Sequence, residues 1–366
     1  MSKPSTTDNS KESIEILSRL LLSPDTEVES LSMATTFRSF NQDEFTDLIA
    51  LAHSNHVIVR ALEAYRMMML ATHDLIRAEW AANAVAAERS RIVKAISFLR
   101  IICDAFEDGG LDVTVMKSLD HWPDFGSDID LYTNSPSQSV CALMKSRFGA
   151  QIATRSWGDR LACKWNFVIP GLPEPVEVHT GRLGQTGEQL VLASQLPNRA
   201  RTLEFDGEAF RVPSASDRIM VSTLQRMYRH FYFRLCDIVD SAALATSGAI
   251  DYEDLRSSAQ AAGIWEGVAT YLVVVSDYVR RYRNTDLEFP DFVNDAARFH
   301  GDIVYFGNGL LRVPIVPQSA GLYGSQFKGL LIRRELRSGA RLGLLPWLAT
   351  AAAIGHKITG SDKGIW

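Results

Sequence analysis

The chain has 366 residues, 46% of them hydrophobic and 22% charged, with a formal net charge of −5. That length suggests two or three domains, with a core large enough to need no disulfide staples. The acidic balance excludes a chain built throughout as a basic nucleic-acid binder, though it permits a local basic patch.

The N-terminus, MSKPSTTDNSKES, is polar. Residues 1–10 read as a disordered tail, and without an apolar signal core a cytoplasmic location is expected. From 11 to 108 the pattern is helical: Ile14, Leu17, Leu20 and Leu21 repeat at helical spacing, as do Phe45, Leu48, Ile49 and Ala52. Residues 57–106 contain neither proline nor glycine and exceed one ordinary helix, so two are expected there.

The period changes after Asp108-Gly109-Gly110, a helix stop. Strands are expected over 111–116 and 127–133, and a helix over 136–148 with Ser135 as its cap. Further strands follow at 151–154, 164–169 and 176–179, then a hairpin over 204–212 turning at Asp206-Gly207. Together residues 109–214 make a small α+β unit with a mixed sheet, flanked by helical regions on both sides. Beyond it, residues 217–246 read as one helix, with two more at 252–262 and 265–282. Residues 299–326 are rich in Gly and Pro and read as short strands or loops. Residues 342–355 are apolar but too short for a membrane span.

Chemistry concentrates in VMKSLDHWPDFGSDIDLY, residues 115–132. Strands alternate their side chains, so Asp128 and Asp130 share one face while Ile129 and Leu131 take the other. An Asp-x-Asp on an exposed strand face is most often just solvated. Two carboxylates on one face are also what Mg²⁺ requires, with substrate phosphates and water completing its shell. Glu177, between Val176 and Val178, and His179 share a face of a later strand. A third carboxylate there would complete a two-metal clamp.

The order of strand, Lys-Ser turn, Asp-x-Asp strand and later acid resembles the nucleotidyltransferase superfamily related to DNA polymerase beta. Within it the chain is most similar to a bacterial group of uncharacterised nucleotidyltransferases. The matching residues are Lys117-Ser118, Asp128-Ile129-Asp130-Leu131, Glu177-Val178-His179 and Arg182, continuing into Asp217-Arg218 and the stretch with His230, Arg234 and Asp237. The resemblance spans about residues 40–260. It departs from the family's pattern at the first turn, where Ser118 replaces a glycine that lets the backbone approach phosphates closely.

The resemblance implies an Mg²⁺- or Mn²⁺-dependent enzyme that moves a nucleoside monophosphate from an NTP to a hydroxyl or phosphate acceptor, releasing pyrophosphate. Asp128, Asp130 and Glu177 would hold the metals. Lys117, Ser118, His179, Arg182, His230, Arg234 and Asp237 would bind the nucleotide, the last group of three from one helix face at i, i+4 and i+7. A small-molecule acceptor is favoured over RNA or protein, and DNA is not expected. The alternatives are a nucleotide-binding regulatory module without turnover and a toxin-like transferase modifying RNA or protein.

Other signals are weaker. His53 and His56 lie three apart on an expected helix, but no third ligand stands near them in sequence, so zinc is not expected. Cys103, Cys141, Cys163 and Cys236 are far apart with no CxxC pair and read as reduced and non-metal. Arg333, Arg334, Arg337 and Arg341 precede the apolar tail. They suit peripheral membrane contact, but a helix packed on the body is the commoner outcome.

Overall fold

The computed structural model describes residues 6–23, 27–205, 207–348 and 350–351. Five helices open the chain: α1 (Thr6–Leu22), α2 (Glu27–Arg38), α3 (Gln42–Ser54), α4 (Ile58–Ala71) and α5 (Leu75–Asp108). α1 starts at Thr6, inside the expected disordered tail. Its apolar stripe is anchored at Ile14 and Leu17, and lengthening an anchored helix through polar residues costs little. The first five residues lie outside the described ones. The two helices expected in 57–106 meet at Thr72–Asp74, where His73 takes a left-handed conformation. α5 runs 34 residues, about 50 Å, and ends at Gly109 as its sequence signals.

The sheet region follows as β1 (Thr114–Val115), β2 (Ile129–Thr133), α6 (Ser137–Phe148), β3 (Gln151–Ile152), α7 (Trp157–Leu161), β4 (Lys164–Val168) and β5 (Val176–Thr180). Strand order is β1-β2-β5-β4-β3, with β2 and β5 parallel and the other pairs antiparallel. Ser135 does not cap α6. Pro136 holds the cap position, and the Ser135 hydroxyl donates to Asp112, which also accepts from Thr133 and the Asn134 N–H at the end of β2. α8 (Leu190–Arg199) leads to the hairpin β6 (Arg201–Phe205) and β7 (Glu208–Val212).

Residues 217–246 are not one helix. α9 (Ala215–Gln225) widens into a π turn over Arg226–His230, the chain reverses at Phe231 with φ 56°, and β8 (Tyr232–Phe233) precedes α10 (Leu235–Thr246). α11 (Tyr252–Ala262), α12 (Trp265–Arg283) and α13 (Asp291–Ala296) come next. The Gly/Pro-rich stretch holds β9 (Tyr305–Gly307) and β10 (Leu310–Arg312), and β10 pairs with both β9 and β8. α14 (Ala320–Ile332) and α15 (Leu336–Gly343) follow, with further helical residues among 345–351.

One hydrophobic core runs from Ile14 through the sheet to Leu322. The mixed α+β class and the helical regions on both sides of the sheet are as expected. No described helix is long and apolar enough to cross a membrane. Of the basic residues before the tail, Arg341 donates to the carbonyls of Leu161 and Thr186 on the body, and Arg333 pairs with Glu335.

Candidate active site

β2 and β5 lie in parallel register with Asp130 opposite Glu177, so the two carboxylates stand side by side on one face. That face is not solvent-exposed: Asp130 is 3% exposed and Glu177 8%, because the segment from Gln225 to Arg234 closes over it. Asp128 lies just before β2, half-buried, on the wall of the same cavity.

The strand entry is fixed from two sides. Ser118 is buried in the short 3₁₀ turn Lys117–Leu119, and its Oγ accepts the backbone N–H of Asp130 at 2.8 Å. Arg91 on α5 donates to Glu174 at 2.5 Å and to the carbonyls of Phe125 and Gly126, holding the loop that carries Ser127 and Asp128.

Lys117 places its Nζ 2.7 Å from Asp130 Oδ2. Burial opposes the charge on Lys117, but Asp130, Glu177 and Asp128 outweigh it, and its pKa is raised. Burial and then Asp128 push the Asp130 carboxyl up to about 8, with Lys117 offsetting only part. Burial also works to raise Glu177. The His179 hydrogen bond and the ammonium groups of Lys164 and Lys117 prevail, and its carboxyl falls well below the usual range. Glu177 accepts from Lys164 at 3.0 Å and meets His179 Nε2 at 2.7 Å. Burial lowers the His179 pKa, against the pull of Glu177.

The facing wall is cationic. Arg226, Arg229, His230 and Arg234 line the cavity, which encloses about 200 Å³ and opens to solvent. Tyr232 lies between, with the guanidinium of Arg226 5.4 Å and that of Arg234 5.9 Å from its ring centroid. Burial, with Arg229 and Arg226 beside it, pushes the His230 pKa well down. The π turn matters here: its extra residue per turn offsets the side chains of Arg226–His230 from those of α9.

Seven of the ten expected site residues therefore line one cavity: Lys117, Ser118, Asp128, Asp130, Glu177, His230 and Arg234. His179 stands behind Glu177 and faces an adjoining, more apolar pocket with Leu183, Val221 and Leu224. Two expectations are corrected. Arg182 points away, because Gly181 (φ 67°) turns the chain and the Arg182 guanidinium donates to the Gly187 carbonyl at 2.9 Å. Asp237 does not line the acid cavity: it closes the first turn of α10 on the Arg234 N–H and pairs with Arg226 Nε at 2.7 Å. His230, Arg234 and Asp237 therefore share no helix face, since β8 separates His230 from α10.

The sequence reading missed Arg226, Arg229, Tyr232 and His121 and set His56 aside, all of them on the cavity wall. The density of Arg226, Arg229, His230 and Arg234 within nine residues was the available signal. Comparison with protein-family models, with curated proteins and with solved structures finds no match.

Proposed function

We propose that the chain is a divalent-metal-dependent nucleotidyltransferase that moves an NMP from an NTP to a hydroxyl or phosphate acceptor, with release of pyrophosphate. The observation that carries this reading is the division of one cavity into an acid wall, Asp128, Asp130 and Glu177, and a basic wall, Arg226, Arg229 and Arg234. Acids suit hard cations, and guanidinium forks suit phosphate oxygens. The donor set fits Mg²⁺ or Mn²⁺: Oδ1 of Asp130 is buried and accepts no hydrogen bond, an acceptor left open beside Glu177.

Asp128, Asp130 and Glu177 would hold the metal, which when bound neutralises phosphate charge and favours ionisation of an acceptor hydroxyl. Arg226, Arg229 and Arg234 bind the triphosphate, and Lys117 stands where the two walls meet. The acceptor oxygen bonds to the α-phosphorus, the bridging bond to the β-phosphate breaks, and pyrophosphate leaves. The acceptor's proton passes to cavity water. Glu177, held to Lys164 and His179, is a weak base and serves to hold charge.

The test is incubation of the full chain with Mg²⁺ or Mn²⁺ and each of the four NTPs, labelled at the α- or γ-phosphate, in a small-molecule cell extract. Transfer of α-label with release of pyrophosphate is expected. No pyrophosphate from any NTP, with Asp130→Ala indistinguishable from the parent, would sink the reading.

One observation favours a second reading, nucleotide binding without turnover. Lys117 and Lys164 already counter the charges of Asp130 and Glu177. On that reading NTP binds equally well with and without Mg²⁺, measured by calorimetry.

A further inference from the structure

Beside the acid wall, His56 and His121 line the same cavity, and Cys236, outside its lining, meets them in a group of different chemistry. His56 follows α3, His121 lies in the loop before β2, and Cys236 sits in the first turn of α10. One ligand atom from each falls within 4.8 Å of the other two. Two of these segments are already stitched together: the Asn55 side chain accepts the Leu235 N–H at 3.1 Å, and the Asn55 carbonyl accepts the Cys236 N–H at 3.2 Å.

The two histidines are presented as a metal would need them. His121 Nδ1 is 2.5 Å from Asp240 Oδ2, leaving Nε2 to face the Cys236 sulfur at 4.0 Å. Such carboxylate–histidine pairs fix the ring and the tautomer of metal-ligating histidines. Asp240 is itself held by Arg60 at 2.6 Å, and Arg60 is anchored on Asp124. His56 is 7% exposed, and its Nδ1 is buried without a hydrogen-bond partner. An unpaired buried ring nitrogen carries a desolvation cost that a ligand would relieve. His53, its neighbour in sequence, is exposed and outside the group.

We infer that His56 and His121, through ring nitrogens, and Cys236, through Sγ, form a Zn²⁺ site whose fourth position faces the cavity. Two imidazoles and a thiolate suit a borderline-soft ion, whereas Mg²⁺ prefers oxygen, so the acid wall and this site select different metals. Tetrahedral zinc sets its nitrogen and sulfur ligands about 3.6 Å apart, so the His121–Cys236 separation of 4.0 Å needs only a small closure. Loading is an exchange: the metal takes the lone pairs of the two ring nitrogens and the Cys236 sulfur, and the thiol proton leaves to solvent. The inference does not depend on the nucleotidyl-transfer reading.

Cobalt(II) reports the site without any activity assay, because a thiolate ligand gives a near-ultraviolet charge-transfer band and tetrahedral cobalt gives visible bands. The full chain, stripped of metal and titrated with Co²⁺, is expected to show both at one equivalent, and Zn²⁺ is expected to displace them. Cys236→Ser should abolish the charge-transfer band, while Cys103→Ser and Asp130→Ala leave it intact. Asp240→Asn should keep the band but weaken Zn²⁺ affinity by about tenfold or more, the size expected when a ligand-orienting partner is lost. No cobalt–thiolate band in the parent chain overturns the inference even if a variant fails to fold. A band undiminished in Cys236→Ser overturns it as well.

Discussion

Asp130 is buried beside one ammonium, Lys117, and two carboxylates, Asp128 and Glu177, with Oδ1 accepting no hydrogen bond. Burial and Asp128 hold its pKa at about 8, against about 3.9 in an unfolded chain. A carboxyl raised on folding stabilises the fold fully below its unfolded pKa and loses that contribution as pH climbs through the folded value. The metal-free protein should therefore lose an Asp130-dependent part of its stability between about pH 4 and about pH 8. Asp130→Asn keeps the shape without the charge, so the difference in Tm between variant and parent should shift in the variant's favour across that window. Mg²⁺ at pH 8 should raise the parent's Tm and leave that of Asp130→Asn unchanged. A pH-independent Tm difference would mean that Asp130 is not the titrating group. Ser118 bears on the same strand entry. Its Oγ accepts the Asp130 N–H, and it does not have the positive φ that would call for glycine. Ser118→Gly should thus leave a buried N–H unpaired and cost about 1–3 kcal/mol in denaturant unfolding, with no gain in nucleotide affinity. A more stable or tighter-binding variant would refute this account of the turn.

The acid strands were legible because their information is local: alternation in Asp128-Ile129-Asp130-Leu131 and Val176-Glu177-Val178 announces both strand and face. The basic wall was not. Residues 217–246 contain no glycine or proline before Gly248, and local propensity favours a continuous helix. The break at Phe231 is set by tertiary pairing: β8 joins β10, with Phe233 opposite Leu311, and the Phe231 carbonyl accepts the Val313 N–H at 2.9 Å. No local pattern announces a partner so distant in sequence. The same limit hid the convergence of His56, His121 and Cys236. Asp237 shows what the break accomplishes, since it ties α10 to Arg226 across β8, both side chains being 4% exposed. Removing one partner of a buried pair leaves the other charge uncompensated. Asp237→Ala should therefore cost about 3–5 kcal/mol and release Arg226 from its place on the wall. The expected kinetic signature is an NTP KM raised about tenfold or more, a loss of roughly 1.4 kcal/mol in binding. An unchanged KM in a folded variant would show that Arg226 needs no such tether.

Across the whole molecule, helices from before and after the sheet region pack against each other. α1 lies against α12: Ser18 and Tyr278 share a hydrogen bond at 2.6 Å, and Arg283 donates to the Leu22 carbonyl at 3.1 Å. Ile14 and Leu17 belong to the same hydrophobic core as Ile129 and Val178, which pack beneath the acid wall. Length alone suggested two or three domains, but a shared core predicts cooperative unfolding in a single step. Leu17→Ala tests this at a fully buried position outside the cavity lining. The lost side chain should cost about 2–5 kcal/mol. If the core is one unit, loss of Mn²⁺ binding at the acid wall and loss of far-ultraviolet helix signal should move to lower temperature together in the variant. If the N-terminal helices instead melt in a separate, earlier step while Mn²⁺ binding persists at the parent's temperature, the sheet region stands on its own. The shared core would then be no guide to how the chain unfolds.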